Sequence, residues 1–466
     1  MAKLLQKLES RHVSMIAIGG SIGTGIFLAS GYAIYVAGPG SALSAYCAMA
    51  IIVYFLMTSL GELSAYKPSS GSFCDYTTMY VGKSFGFAMG YNYWLNWAIT
   101  AAVDISAASL VMSYWFPQVN PVWFSLAVFI AILIANIFSV RIYGEVEYWL
   151  SILKVSVIIV FIILGVFAIF YEPAFGTNRW GIGDAPFHKG WIGFITVFLF
   201  AGFSFQGTEL VGVASGETKN PEVNIPKAIR MVFWRLTLFY VLSMGVISLL
   251  IAYTDPRLAY KNDVSMSPYT LIFSTYLSKY AGHVINFIIL VALVSAANAS
   301  MYSATRILWY LGHSGQTPGI FKYINSKGIP TISLFATAAI SSLTFLSSFV
   351  GSGTFFKYIV QVSALAGFLA WFGIALSHYK FRKKHLSSLG GESILKYKAK
   401  FYPYAQIISM IAIGFIIVAQ FINFDTNHHL IDFIAVYSAI IIFALTYIGH
   451  KIYTINRRAK ISVCTK

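Results

Sequence analysis

The sequence contains little charge and almost no cysteine. Only 10% of its 466 residues are charged, whereas a soluble globular domain has roughly 25%. The three cysteines, Cys47, Cys74 and Cys464, are odd in number and lack the spacings of metal-binding or redox sites, so we interpret them as small apolar residues. Phosphate-binding glycine loops, zinc-site spacings and nucleophile–base patterns do not stand out either. We therefore expect neither an enzyme nor a bound cofactor or metal.

Apolar sequence is abundant instead. Hydrophobic residues account for 58% of the chain, and the mean hydropathy is +0.72. A helix needs about 20 apolar residues to cross the ~30 Å hydrocarbon core of a bilayer. Such runs recur along the whole length and predict an all-α polytopic membrane protein with twelve transmembrane helices. The predicted spans are 12–36, 40–66, 86–116, 122–140, 146–170, 191–216, 230–252, 281–311, 331–350, 356–378, 403–423 and 430–452.

The distribution of basic residues predicts the orientation of these spans. Of the 32 lysines and arginines, 25 fall on the side of the N-terminus, 6 on the opposite side and one, Lys154, within the fifth span. Cytoplasmic loops carry such an excess, so we place the N-terminal segment 1–11 and the tail 453–466 in the cytoplasm, with the first helix retained rather than cleaved. The net charge of +16 matches an anionic inner leaflet and requires no nucleic-acid partner. The basic loop 379–402 either contacts that leaflet or serves an unidentified regulatory membrane partner.

Two spans are interrupted by small and polar residues. "GGSIGTGIF" at 19–27 lies in the first span, and "GFSFQGTELVGVASGE" at 202–217 lies in the sixth. Each glycine costs a helix about 1 kcal/mol relative to alanine, and a rise of about 1.5 Å per residue brings both interruptions near the bilayer midplane. Paired broken helices predict a transporter built from inverted repeats, whose freed N–H and carbonyl groups suit a zwitterionic amino acid. The alternative is close helix packing, for which membrane helices also use small residues.

Five longer stretches are similar to a known family. They are "RHVSMIAIGGSIGTGIF", "GELSAYKPSSGSF", "GFAMGYNYWLNWA", "FSFQGTELVGVASGE" and "NIPKAIRMVFWR". Through them, nearly the whole chain resembles the amino-acid permeases of the amino acid–polyamine–organocation superfamily, and among these the bacterial lysine-specific permeases. The resemblance implies five-plus-five inverted repeats, 12–170 and 171–378, with helices 1 and 6 unwound near the midplane, followed by two C-terminal helices in 403–452. It also implies proton-driven import of L-lysine by alternating access.

The resemblance assigns roles to particular residues. It implies that the first helix receives the substrate carboxylate and that carbonyl groups of the sixth helix face the α-ammonium. The implied substrate-binding residues are Gly20, Ser21, Gly23, Thr24, Gly25, Tyr93, Trp97, Phe203, Ser204, Gly207 and Glu209. The residues implied for proton coupling or gating are Lys154, Glu209, Glu217 and Asp263. The outer loop around Asp263 is shorter and less acidic than expected, which weakens a gating role there.

Ionisable residues inside the spans support part of this assignment, because they are costly and mark functional sites. Glu209 directly follows the second interruption, so we expect it to neutralise a substrate ammonium or to carry a proton. Its structural alternative is to cap the second half of the broken helix. Lys154 lies about 14 Å from the cytoplasmic end of its span, which is deep for simple snorkelling. Its two interpretations are proton exchange in place of a bound cation and a static ion pair.

The third span presents a mixed aromatic and polar face. Tyr93 and Trp97 are one turn apart and would attract an ammonium group by cation–π contact, although 17% of the chain is aromatic and plain packing is the alternative. Asp104 shares this face with them and with Thr100, where it would assist substrate selection or form structural hydrogen bonds. Three glutamates near cytoplasmic ends are expected to pair with local basic residues: Glu62, Glu145 and Glu147.

The sequence thus predicts a proton-coupled importer of L-lysine in the bacterial inner membrane. Its predicted partners are lysine, protons and the lipid bilayer. Two alternatives stay open: a permease for arginine or an aromatic amino acid, and a lysine-binding membrane sensor with little flux. A channel fits less well, because one enclosed charged site between interrupted helices suits occlusion better than conduction.

Overall fold

The computed structural model describes residues 22–69, 71–138, 140–171, 175–213, 221–259, 267–388, 391–422 and 430–464. Within these residues the regular structure is helical. The helices of eight or more residues are α1 Ser30–Tyr66, α2 Lys83–Met112, α3 Pro121–Phe138, α4 Val140–Tyr171, α5 Gly190–Phe205, α6 Pro221–Leu250, α7 Pro268–Tyr276, α8 Lys279–His313, α9 Thr331–Ser341, α10 Ser352–Lys380, α11 Tyr404–Ile422 and α12 Leu430–Cys464. The shorter segments are Gly25–Ala29, Ser72–Tyr76, Thr77–Val81, Gly176–Gly181, Leu210–Val213, Pro256–Leu258, Gly319–Lys322, Ser342–Leu346, Ser347–Val350, Phe381–Leu386 and Gly391–Ile394.

The first long helix contains two predicted spans. Together with the turn Gly25–Ala29, α1 runs for 42 residues, or about 60 Å, which is twice the ~30 Å hydrocarbon core. The chain breaks at Gly38, whose φ of 79° and ψ of 166° are not helical, and Pro39 follows. Beside the break, the amide N–H of Gly40 donates to the carbonyl of Pro186 at 2.9 Å. The break therefore separates the first predicted span from the second.

The other predicted spans also coincide with helices. Within the described residues, nine helices are long and apolar enough to cross a membrane, and two shorter apolar helices are Pro121–Ile137 and Gly190–Phe205. Since the first of the nine contains two spans, each of the twelve predicted spans has a helical counterpart among the described residues, which begin at residue 22 in the first span. The prediction of an all-helical polytopic membrane protein is confirmed. Helix α7 lies in the predicted outer loop between the seventh and eighth spans.

Two helices form the centre of the bundle. The most apolar windows of α2 and α10 are 83% and 78% buried, whereas the window Val436–Asn456 of α12 is 6% buried. A helix that is apolar all round and enclosed by protein belongs to the core of a bundle, while the apolar surface of α12 faces lipid. The side chains that α2 and α10 carry toward each other are therefore shielded from water.

The sixth predicted span is interrupted. Helix α5 ends at Phe205, residues 206–209 form a turn, and Leu210–Val213 is helical again. Gly207 has a φ of 96°, which an L-residue with a side chain rarely adopts. The break leaves carbonyl groups at the end of α5 without helical partners. One of them, that of Phe205, accepts from the Thr208 hydroxyl at 3.1 Å.

Candidate functional site

The start of the first helix lies against the end of α5. A Cβ atom on Gly25 would stand 2.4 Å from the Cα atom of Ser204, so only glycine permits this approach. The Ser204 hydroxyl is 2.9 Å from the Tyr46 hydroxyl, and it donates to the carbonyl of Phe200 at 2.8 Å. Gly25, in the first interruption, thus serves close packing. That packing brings the two interruptions predicted from the sequence, 19–27 and 202–217, into contact.

Glu209 is buried at the α5 break, with 1% of its surface exposed. Its Oε2 accepts from the amide N–H of Gly207 at 3.1 Å and from the indole Nε1 of Trp371 at 3.3 Å. Its Oε1 accepts from the Tyr93 hydroxyl at 3.4 Å. All three donors are neutral, and within the described residues no lysine, arginine or histidine forms an ion pair with this carboxylate. The protein solvates the group without neutralising it.

Aromatic rings surround Glu209. Tyr93 packs edge-on against Phe73 at a centroid distance of 4.5 Å and against Trp97 at 6.1 Å. On the opposite helix, Trp371 packs against Phe368 at 5.7 Å. Tyr93, Trp97 and Trp371 are each at most 2% exposed. The carboxylate consequently lies in a dry aromatic enclosure, where electrostatic attraction to a cation is stronger than in water.

Asp104 forms a second buried carboxylate site at the start of the first helix. Its Oδ1 accepts from the Thr24 hydroxyl at 2.6 Å, and its Oδ2 accepts from the Ser300 hydroxyl of α8 at 3.0 Å. Gly23 lies beside it, because a Cβ there would be 3.7 Å from Oδ1 and 2.9 Å from the Cβ of Ala296. Asp104 therefore ties the first helix to α2 and α8.

Lys154 is paired. Its Nζ lies 3.2 Å from Oε1 of Glu147, two turns earlier on α4, and both side chains are at most 2% exposed. The Ser295 hydroxyl of α8 donates to the other oxygen of Glu147. Asp104 contacts the same helix five residues further on, at Ser300. The ion-pair interpretation of Lys154 thus describes this conformation, and the pair adjoins the Asp104 site.

A polar cluster between α2, the α5 break and α10 was not predicted from the sequence. Asn96 donates to Oε1 of Gln206 at 3.3 Å, and Gln206 donates to the carbonyl of Ser363 at 3.0 Å. The Ser363 hydroxyl donates to Oδ1 of Asn96 at 3.0 Å and lies 2.9 Å from the Thr100 hydroxyl. The spacing Asn92, Asn96, Thr100 on a buried helix is the signal that would have found this cluster. It anchors the break to the two central helices.

Glu62 pairs with a basic residue, as expected, but the partner is 320 positions away and not local in the sequence. Arg382 donates from Nε to Oε1 of Glu62 at 2.7 Å and also from a terminal nitrogen to Oε2. The amide N–H of Ala399 donates to Oε2 at 2.6 Å, and Nε2 of His378 lies 3.0 Å from Oε1. The carboxylate is fully buried, and its charge is compensated by a bidentate arginine. This cluster joins α1, the end of α10 and the segment after it.

Several predicted site residues cannot be located. Gly20, Ser21, Glu217 and Asp263 lie outside the described residues, as does the side chain of Glu145. Phe203 is described and is 6% exposed within α5. In the part of the chain that the structure describes, no three His, Cys, Asp or Glu side chains are arranged to hold a metal ion.

The fold and the site define a polytopic helical membrane protein whose polar centre is enclosed between a broken helix and two core helices. The sequence profile of the family described as "Amino acid permease" matches residues 12–463. The chain belongs to this amino acid permease family. Permeases are transport proteins, so the family agrees with the prediction that the chain is not an enzyme.

Individual relatives match over nearly the full length. The chain is 46% identical to the lysine-specific permease LysP of Escherichia coli (strain K12) over 463 residues, which covers 96% of this chain and 94% of that protein. It is 44% identical to the lysine-specific permease LysP of Lactococcus lactis subsp. cremoris (strain MG1363), with 95% and 89% covered. It is 42% identical to the histidine permease HisP of the same Lactococcus strain, with 96% and 94% covered.

Proposed function

We propose that the protein imports L-lysine across the bacterial inner membrane by proton-coupled alternating access. The observation that carries the proposal is the environment of Glu209. This buried carboxylate has three neutral donors and no cationic partner among the described residues. An uncompensated buried charge is costly, and the ε-ammonium of lysine would neutralise it. The two lysine-specific relatives support the same substrate.

The helix ends supply the other two contacts of an amino acid. Amide N–H groups in the first turn of a helix lack partners within it and favour anions, so the turns after Gly23 would hold the α-carboxylate. Carbonyl groups at the C-terminal end of α5 would accept from the α-ammonium. Gly25 and Ser204 keep these two ends adjacent. The ε-ammonium would then extend to Glu209 between Tyr93 and Trp371, where ring faces add cation–π attraction.

Burial of the site supports alternating access. Glu209 is 1% exposed, and Tyr93 and Trp371 are no more exposed than that. A charged substrate can reach this carboxylate only when the surrounding helices move apart, so binding requires a second, open conformation. An inside-negative potential of 100 mV favours each positive charge imported by about 2.3 kcal/mol.

We assign proton coupling to the pair of Glu147 and Lys154. The pair carries no net charge, so a proton gained or lost there would leave one buried charge unpaired, which is costly unless neighbouring groups rearrange. The pair adjoins Asp104, which holds Thr24 at the start of the first helix. A change of protonation there would alter the field on the hydrogen bonds that position the substrate-binding helix.

The test is uptake of radiolabelled lysine into proteoliposomes, with and without an inward proton gradient. We expect uptake that the gradient stimulates and that excess unlabelled lysine abolishes, while neutral amino acids leave it unchanged. Saturable lysine binding without gradient-driven flux would contradict the proposal and indicate a sensor.

A second substrate is favoured by one observation, the 42% identity to a histidine permease. Protonated histidine also presents a cationic side chain to Glu209. Competition by histidine and by arginine in the same assay distinguishes the substrates. If histidine inhibits uptake as strongly as lysine does, the transporter is not specific for lysine. The proposal that Glu209 binds a cationic side chain would still hold.

A further inference from the structure

A basic pocket that shares no lining residue with the proposed substrate site lies between α1, α6 and the segment that follows α10. Its volume is about 490 Å³, within the about 300–1,000 Å³ that small-ligand pockets occupy. Four of its lining residues are cationic, namely Arg230, Lys396, Lys398 and Lys400. The remaining lining residues carry no acid, and they include Tyr54, Trp234 and Tyr397.

The basic segment is held firmly against the bundle. Leu395 and Ala399 are buried, while the intervening Lys396 and Lys398 are exposed. Ala399 is fixed by the Glu62 carboxylate at 2.6 Å and by Arg382, which donates to its carbonyl at 3.3 Å. These backbone contacts fix the lysines next to Arg230 of α6, so the charges are gathered by the fold.

Three of these charges, on Arg230, Lys398 and Lys400, have little compensation from carboxylates within the described residues. Lys398 lies 3.9 Å from Glu392, with both side chains more than half exposed, and such pairs contribute little. Neither Arg230 nor Lys400 has a carboxylate within ion-pair distance there. Four like charges around one cavity favour an anion, and guanidinium with ammonium groups is the donor set that binds phosphate.

Lipid-facing surface adjoins the pocket. Trp234, in its wall, is 54% exposed, and Met231, Leu238 and Leu242 of α6 are 43%, 49% and 48% exposed. Their spacing of three and four residues makes one continuous apolar stripe along the helix. Tryptophan is typical of the membrane interface. The headgroup of a lipid would occupy the cavity while its acyl chain lies along this stripe. A soluble phosphate has no acyl chain, so the stripe favours a lipid.

We propose that this basic pocket binds the phosphate headgroup of an anionic phospholipid. The Lys and Arg distribution assigns this end of the bundle to the cytoplasm, where the leaflet is anionic. Bound there, the lipid would connect α6 to the Lys396–Lys400 segment and stabilise their contact with α1. The inference is independent of which amino acid is transported.

The experiment uses the full chain, purified in detergent and depleted of lipid. Phosphatidylglycerol, phosphatidylcholine or soluble glycerol phosphate is added, and the thermal unfolding midpoint and the number of lipids retained in native mass spectra are measured. We expect phosphatidylglycerol alone to raise the midpoint and to be retained. The variant R230Q/K400Q should lose this response. The variant K383Q/K384Q, which removes two exposed charges of the same region outside the pocket, should keep it.

Two outcomes would overturn the proposal. An equal midpoint shift with glycerol phosphate would indicate a soluble anion instead of a lipid. If phosphatidylglycerol raises the unfolding midpoint of both double variants equally, or of neither, the effect depends on overall charge and not on a site in the pocket. If R230Q/K400Q is recovered in too low a yield, K400Q with K384Q as its control tests the same expectation.

Discussion

Glu62 and Glu209 are both fully buried glutamates in a membrane protein, yet their surroundings differ. Glu62 is bound by the Arg382 guanidinium, approached by His378 and capped by the Ala399 amide. Glu209 is bound by a phenol, an indole and one amide, all neutral. The first carboxylate is neutralised by its own chain, whereas the second is solvated by neutral donors, and we propose that a cation from outside neutralises it. The partners of a buried charge, more than its burial, thus separate the structural site from the proposed binding site.

The largest expected effect follows from removing the charge of Glu209. In the E209Q variant the ε-ammonium of lysine would have no counter-charge, a loss of about 3–5 kcal/mol, or about 10²–10⁴-fold in apparent affinity. Lysine uptake in proteoliposomes measures it. The E392Q variant removes an exposed carboxylate and should transport normally. If the E209Q variant binds lysine with near-normal affinity, the charge of Glu209 does not bind the substrate. The two buried glutamates would then not differ in the way proposed.

The converse change tests the structural site. E62Q leaves the exposed Glu392 as the one carboxylate that pairs with the buried Arg382 among the described residues, so the free energy of unfolding in detergent should fall by about 3 kcal/mol. Denaturant titration measures this loss. E392Q is the matched control, because Glu392 pairs with the same arginine but is 55% exposed, and its loss should stay below about 1 kcal/mol. Equal losses for the two variants would contradict a special role for burial at Glu62.

A third buried carboxylate, Glu147, lies between these cases because its cation is Lys154. The uncharged double variant E147Q/K154M should fold and exchange lysine across the membrane without a gradient. With one proton per lysine, a gradient of one pH unit drives about tenfold accumulation, and this accumulation should disappear in the variant. Retained accumulation would show that the pair is only structural and that another group carries the proton.

The smallest effect concerns one neutral donor to Glu209. Y93F removes a long hydrogen bond of 3.4 Å, which we expect to cost about 1 kcal/mol, or about fivefold in KM for lysine. Y91F, two residues away on the same helix and half-buried, is the control and should leave KM unchanged. A larger effect at Tyr91 than at Tyr93 would contradict the proposed aromatic enclosure.

Much of the fold was predictable from sequence because lipid imposes a simple rule. A span must be apolar and about 20 residues long, so the twelve predicted segments coincide with helices, including the pair divided at Gly38. The interruption after Phe205 was also indicated by its glycines and polar residues. The outer helix α7 was not predicted, because a short amphipathic segment in a loop lacks that signal.

The site was predictable only in part. Glu209, Tyr93 and Lys154 stood out as charged or aromatic residues within apolar spans. Trp371 did not, because one tryptophan among many aromatic residues in α10 has no local pattern. The packing interpretation of Gly25 and the ion-pair interpretation of Lys154 both describe real contacts in the structure. Neither contact tests the roles in binding and coupling, which stay proposals.

By itself, the sequence determined the membrane class, the number of spans and the positions of costly charges, since hydropathy and charge are local properties that a bilayer selects directly. The tertiary structure alone decided which charge is compensated. Arg382 reaches Glu62 across 320 positions, and Trp371 reaches Glu209 across 162. Pairings over such separations depend on how helices pack, because no local propensity specifies which distant side chain will face a buried carboxylate.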